Sequence, residues 1–163
     1  MIKQFKKIIW FILKKIRLYV IYKFFKKTTH GVRTIITDNK KIFLIKHPYD
    51  DFWVLPGGGK KEKESDFDVA KRESEEEAGL VILGELKILG KYFNNKENKD
   101  DHIAIVIAKD WKISKKRPRL IDRIEIQKRG WFEFDNLPKV SYSTKKRIDE
   151  YLKEDFSNKT RFW

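Results

Sequence analysis

Short alternating stretches and two runs of helical period lay out the elements of this chain. Residues 32–37 and 41–46 read as strands joined by a turn at Asp38-Asn39, and the pattern predicts a hairpin there. Further strands are expected around 53–55, 81–92, 103–109 and 131–134. Helices are expected over 66–78 and 143–153. Ser65, followed three residues later by Asp68, has the form of a capping box, and Gly79 stands where a left-handed C-cap belongs, so the first helix is bounded at both ends. These local signals define a mixed α and β domain and no more.

The helix over 66–78 carries the most informative polar pattern. At about 100° per residue, Glu73, Glu76 and Glu77 fall within an arc of roughly 100°, while Phe67, Ala70, Ser74 and Ala78 gather on another face. Three carboxylates this close repel one another and raise each other's pKa unless a cation compensates. Arg72, one turn before Glu76, offsets part of that charge. Hard oxygen donors in this number suit Mg2+ or Mn2+, which in turn bind phosphate oxygens. A solvated Glu/Lys face is the plain alternative. Trp53-Val-Leu-Pro-Gly-Gly-Gly59 argues against it: a short apolar strand stops at Pro56 and opens into consecutive glycines, whose backbone can approach a ligand closely.

Composition bounds the rest. At 163 residues, 40% of them hydrophobic, one globular domain with one core is expected. The absence of cysteine excludes disulfides, thiolate zinc sites and cysteine nucleophiles, and agrees with a reducing, cytoplasmic setting. The net charge of +14 is unevenly placed. Residues 1–27 hold nine of the 38 Lys and Arg and none of the 24 Asp and Glu, which leaves the remainder at +5. In helical projection Ile2, Phe5, Ile8, Ile9, Ile12, Leu13 and Ile16 share a face, opposite Lys3, Lys6, Lys7, Lys14 and Lys15. The apolar runs 8–13 and 18–22 are shorter than the about 20 residues a bilayer needs. Residues 1–27 are therefore expected to form a basic amphipathic helix, separate from a domain over 28–163, that lies on an anionic membrane surface at its inner face, packs on the domain, or joins a homodimer. Neither a secretory cleavage site nor a Ser- and Arg-rich transit composition is present.

The segment from Gly58 to Leu80 resembles the Nudix box, Gly-x5-Glu-x7-Arg-Glu-U-x-Glu-Glu-x-Gly-U, where U is a bulky aliphatic residue. Gly58, Glu64, Arg72, Glu73, Glu76, Glu77, Gly79 and Leu80 fall in register, and Ser74 departs from it at the first U position. A serine there removes buried methylenes, worth about 1–3 kcal/mol, and its hydroxyl is expected to bond back to the Ala70 carbonyl. The resemblance runs from about residue 31 to 151. It implies an α/β/α sandwich around a mixed β-sheet, and a divalent-metal-dependent hydrolase of a diphosphate linkage in nucleoside diphosphate derivatives. By the same resemblance Glu73, Glu76, Glu77 and the Gly57 carbonyl are metal ligands for Mg2+ or Mn2+, Arg72 orients Glu76, and Glu64 braces the loop or binds a metal-bound water. Arg72 and Glu64 as an ordinary surface ion pair is the competing reading.

The general base is open among Glu97, Asp100, Asp101 and His102 in the loop before the 103–109 strand, Glu125, and Glu73 of the box itself. Gly57, Gly58 and Trp53 are candidate substrate-binding residues, with Trp53 and Phe52 equally suited to core packing. The basic stretch 112–123 suits phosphate or nucleic acid, or is a solvated loop. Two other functions compete: a catalytically silent nucleotide-binding or membrane-docking module, and an RNA-end pyrophosphohydrolase.

Overall fold

The computed structural model describes residues 28–95, 100–116, 124–157 and 159–163. The expected amphipathic helix over residues 1–27 lies outside the described residues, as does candidate base Glu97. The elements run β1 (Thr29–Ile36), β2 (Lys41–Lys46), β3 (Trp53–Val54), α1 (Asp66–Glu73), a π-turn (Ser74–Ala78), β4 (Leu80–Ile82), β5 (Leu86–Asn94), β6 (Asp101–Ala108), β7 (Trp111–Ile113), β8 (Lys128–Glu133), α2 (Tyr142–Leu152) and β9 (Arg161–Phe162).

Three sheets form among the described residues: a mixed one of order β1-β6-β5-β9, an antiparallel one of order β3-β2-β8, and the pair β4-β7. β1 and β6 are parallel over their full length, from Thr29 opposite Asp101 to Ile36 opposite Ala108. Central strands here are apolar on both faces, as strands covered on both sides must be. Val32, Ile36, Phe43, Ile45, Ala104 and Val106 pack with Val69 and Ala70 of α1. Their neighbours Ile35, Ile42, Leu44, Ile105 and Ile107 pack on the other side with Ile148 of α2. The result is the expected sandwich, helix on sheet on helix, with the period-two alternation dividing one strand set between two cores.

The hairpin expectation is corrected. The turn forms where expected, with Asp38 Oδ1 accepting from the Lys40 and Lys41 amides at 2.9 and 2.7 Å and Asn39 at φ 74°. The strands it joins form no ladder beyond the Thr37–Ile42 bridge among the described residues, because β1 pairs with β6 and β2 with β3 and β8. The expected 81–92 strand is also two strands, β4 and β5, divided at Gly84.

The helix of the acidic motif starts as expected. Ser65 accepts from the Asp68 amide at 3.1 Å while Asp68 accepts from the Ser65 amide at 2.9 Å. At Ser74 it widens into the π-turn, which ends at Gly79 with φ 72° and the Gly79 amide donating to the Glu75 and Ser74 carbonyls. Ser74 is fully buried, but its hydroxyl has no partner among the described residues, contrary to the expected bond to Ala70. The Ala70 carbonyl is taken instead by the Ser74 backbone N–H, which is shared with the Lys71 carbonyl.

Candidate active site

Arg72 is the hub of the acidic motif. Its Nε and Nη2 donate to Glu64 Oε1 and Oε2 at 2.6 and 2.9 Å, a bidentate pair. Its Nη1 donates to Glu73 Oε1 at 2.5 Å and Glu76 Oε2 at 3.4 Å, and its Nη2 also donates to the Gly59 carbonyl at 3.0 Å. One guanidinium therefore ties the glycine loop to three carboxylates from two segments. Glu64 in turn accepts from the Lys61 amide at 2.8 Å, so it braces the loop. Hydrogen bonds from Arg72 hold the Glu64 carboxyl down at about 2 and raise the proton affinity of the guanidinium. This partly buried, multiply bonded arrangement differs from a simple surface pair.

Glu77 is the buried member of the acidic set. Its Oε2 accepts from the Gly57 amide at 2.8 Å, and burial pushes its carboxyl up to about 7. Arg33, in the middle of β1, opposes that shift with its charge and donates through Nη1 to the Gly57 carbonyl at 2.5 Å. The Gly57 carbonyl, expected as a metal ligand, is thus held by an arginine. Glycine is required at position 57, where φ is 147° and a Cβ would sit 2.0 Å from the Val32 carbonyl oxygen; at Gly58 a Cβ would sit 2.2 Å from Glu73 Oε1 and the Glu73 side chain would have to shift.

Glu125 and Asp101 fare differently. The charge of Glu125 raises the proton affinity of Glu77 and of Tyr49, whose phenol is pushed up to about 12 chiefly by burial. The Glu125 carbonyl accepts from His47 Nδ1 at 2.9 Å, and His47 stacks on Tyr49 with ring centroids 5.0 Å apart. Glu125 is therefore within electrostatic reach of the acidic motif. Asp101 accepts from the Thr29 hydroxyl at the start of β6 and has no bond to the motif's carboxylates among the described residues. His102 stacks on His30, centroids 5.0 Å apart. Trp53 packs edge-on against Phe132 at 4.6 Å and joins the α2-side core. Of the basic stretch 112–123, Lys116 pairs with Glu75 at 2.7 Å, and 117–123 lie outside the described residues.

Among the described residues no three acidic or histidine side chains close around one point. The donor set nevertheless fits a hard divalent ion: Glu73, Glu76 and Glu77 offer only oxygens, and an ionised carboxylate has about four acceptor sites, more than Arg72 or Gly57 takes. Arg33, His47 and Tyr49 were not singled out from the sequence. The available signal for Arg33 is a cation inside an otherwise apolar strand, Val32-Arg-Thr-Ile-Ile36.

The glycine loop, the arginine-tied acidic helix end and the sandwich around them are the features of one class, and residues 27–154 match the NUDIX domain family. The chain belongs to the Nudix family, and it is a Nudix-type pyrophosphohydrolase acting on acid anhydrides. It is similar to diphosphoinositol polyphosphate phosphohydrolase 3-alpha of Mus musculus, at 32% identity over 124 residues, covering 72% of this chain and 69% of the relative. Its fold is similar to that of a NUDIX hydrolase from Nitrosomonas europaea (TM-score 0.65, 18% identity, 80% of this chain and 92% of that one). A MutT NUDIX hydrolase from Burkholderia pseudomallei also shares it (TM-score 0.62, 23% identity, 76% and 98%).

Proposed function

We propose that the protein uses Mg2+ or Mn2+ to hydrolyse the diphosphate linkage of a small molecule in which a diphosphate joins two groups, nucleoside diphosphate derivatives being the first class to test. The observation that carries this reading is the single guanidinium of Arg72 bonded to Glu64, Glu73, Glu76 and the Gly59 carbonyl. It fixes two of the proposed ligands against the glycine loop. Glu73, Glu76 and Glu77 would hold the divalent ion, which when bound supplies charge neutralisation on the phosphoryl oxygens. Arg72 orients Glu73 and Glu76, and Glu64 keeps Arg72 and the loop in place. A carboxylate takes the proton of the attacking water as the new P–O bond forms and the bridging P–O bond breaks. Glu125 is favoured for that role over Asp101, since its charge is felt at Glu77 and Asp101 is engaged with Thr29.

A second substrate class is supported by the Mus musculus relative, whose name specifies diphosphoinositol polyphosphates. Both classes present a diphosphate to the same loop. The test is product release from nucleotide sugars, dinucleotide polyphosphates, nucleoside triphosphates, capped RNA and a diphosphoinositol polyphosphate, with Mg2+ or Mn2+, in wild type and Glu76→Gln. Metal-dependent turnover lost in the variant is expected. A folded, metal-loaded protein that turns over none of them would favour a binding module instead.

Residues 1–27 are a proposed arm for anionic membranes, on the strength of their segregated basic and apolar faces. No helix among the described residues is long and apolar enough to cross a membrane. Binding to phosphatidylserine vesicles, lost on deleting 1–27, is the expected outcome; equal binding with and without the arm would refute it.

A further inference from the structure

A cavity of about 230 Å3 lies between β1 and the start of α2. Arg33 and Arg147, the hydroxyl residues Ser141, Ser143 and Thr144, and Trp163 line it together with apolar residues, and none of the lining residues is acidic. Arg147 is 1% exposed, and its Nη1 has no hydrogen-bond partner among the described residues. Its Nε lies 3.0 Å from Glu150 Oε2 without hydrogen-bond geometry, and that carboxylate also accepts from Tyr92 Oη at 2.7 Å and faces Arg161 at 3.8 Å. The guanidinium lies over aromatic rings, 3.8 Å from the Tyr92 centroid and 5.2 Å from that of Trp163.

A buried cation with one shared counter-charge and an unpaired N–H is costly unless something completes it. Two further features of the cavity point to what does. It sits at the N-terminus of an 11-residue helix, where Ser141 spends its hydroxyl on the Thr144 amide at 3.2 Å and the first-turn amides of Tyr142 and Ser143 have no helical acceptor. It also opens onto Arg33, whose Nη1 reaches the Gly57 carbonyl of the glycine loop, so one side chain touches both the cavity and the site of diphosphate binding.

Resting on the function proposed above, we infer that this cavity is a phosphate subsite. Arg147, Arg33 and the start of α2 bind a phosphate monoester carried on the substrate beyond its diphosphate, and Arg147 sets the preference for substrates that have one. The cavity selects by charge. Its volume admits a phosphate group and part of its carrier, and its two arginines supply the planar donors such a group accepts.

The test has one arm independent of turnover. Inorganic phosphate is titrated into the full chain while the Ser143 and Thr144 amides are followed by NMR. Saturable shifts in the millimolar range are expected, weakened at least about tenfold in Arg147→Met. Ser143→Asp provides a second variant: an acid in the first turn suits the helix but repels phosphate, so it should fold and lose the shifts. The other arm compares KM and kcat for matched pairs that differ by one phosphate monoester, NADPH against NADH and coenzyme A against dephospho-coenzyme A. A KM about tenfold lower for the phosphorylated member, collapsing in both variants, assigns the subsite to substrate. Phosphate shifts with no KM preference in hydrolysed pairs would overturn the substrate assignment. Absent shifts, or shifts that survive in Ser143→Asp, would overturn the subsite itself. If no pair is hydrolysed, the proposed function loses support while the phosphate titration still decides the subsite.

Discussion

Two arginines, on the helices that cover the two faces of the sandwich, differ in what surrounds them. Arg72 donates to three carboxylates and a carbonyl at the rim of α1. Arg147, on α2, is fully buried with one shared carboxylate and an unpaired Nη1. A saturated guanidinium organises its neighbours and has little left for a ligand. An unsaturated, desolvated one is a binding group waiting for an anion. Arg33 links the two regions through the Gly57 carbonyl.

Breaking the saturated cluster has the largest expected effect. Glu73→Gln removes one charge from the carboxylates tied by Arg72, and kcat is expected to fall by about 10²–10³-fold with the fold intact. Undiminished turnover would detach the cluster from catalysis. Gly57→Ala strikes the loop that joins the two regions, where a Cβ would meet the Val32 carbonyl; a loss of about 2–4 kcal/mol is expected in urea unfolding. A wild-type midpoint would show that the loop moves freely. Arg72→Lys keeps the charge but not the fork, and should cost about 10–100-fold in kcat, since a lysine cannot serve Glu64, Glu73 and Gly59 at once. Rates within twofold of wild type would mean that charge alone suffices.

Smaller effects separate the scaffold from the cluster. Ser74→Ala removes a buried hydroxyl without a partner, so stability should rise by about 1 kcal/mol with kcat unaffected; a loss of stability would mean the hydroxyl is satisfied in solution. Glu64 gives a pH signature. Its folded carboxyl titrates at about 2, below its unfolded value, so the stabilisation from its pair with Arg72 is complete above about pH 5 and is lost as pH falls towards 2. Glu64→Gln should flatten the stability profile in that window, and an unchanged profile would contradict the pairing.

Part of the arginine cluster was legible in the sequence: helix spacing put Arg72 beside Glu76 and the box resemblance brought in Glu64, whereas the Arg72 bonds to Glu73 and the Gly59 carbonyl depend on the side-chain placement the fold imposes. The capping box at Ser65 and the C-cap at Gly79 were legible because they lie within one contiguous segment. What escaped depends on distant pairing. β1 and β2 looked like a hairpin because both are apolar strands around a true turn, yet each takes its ladder partners from distant segments, β1 from β6 and β2 from β3 and β8. The π-turn follows from a hydrogen-bond choice at Ser74 that residue type does not specify. Arg147 shares its helix face with Thr144, Ile148 and Tyr151, and only the packing of that face against Tyr92 and Trp163 makes it buried rather than solvated.

The most direct test of the central claim is Mn2+ binding by electron paramagnetic resonance, measured beside hydrolysis of the best diphosphate substrate, for wild type and Glu76→Gln. Wild type is expected to bind Mn2+, to lose turnover on chelation and to regain it as the ion returns, while Glu76→Gln loses both binding and turnover. Turnover that persists in excess chelator, or a Glu76→Gln protein that binds Mn2+ and hydrolyses like wild type, would contradict the account.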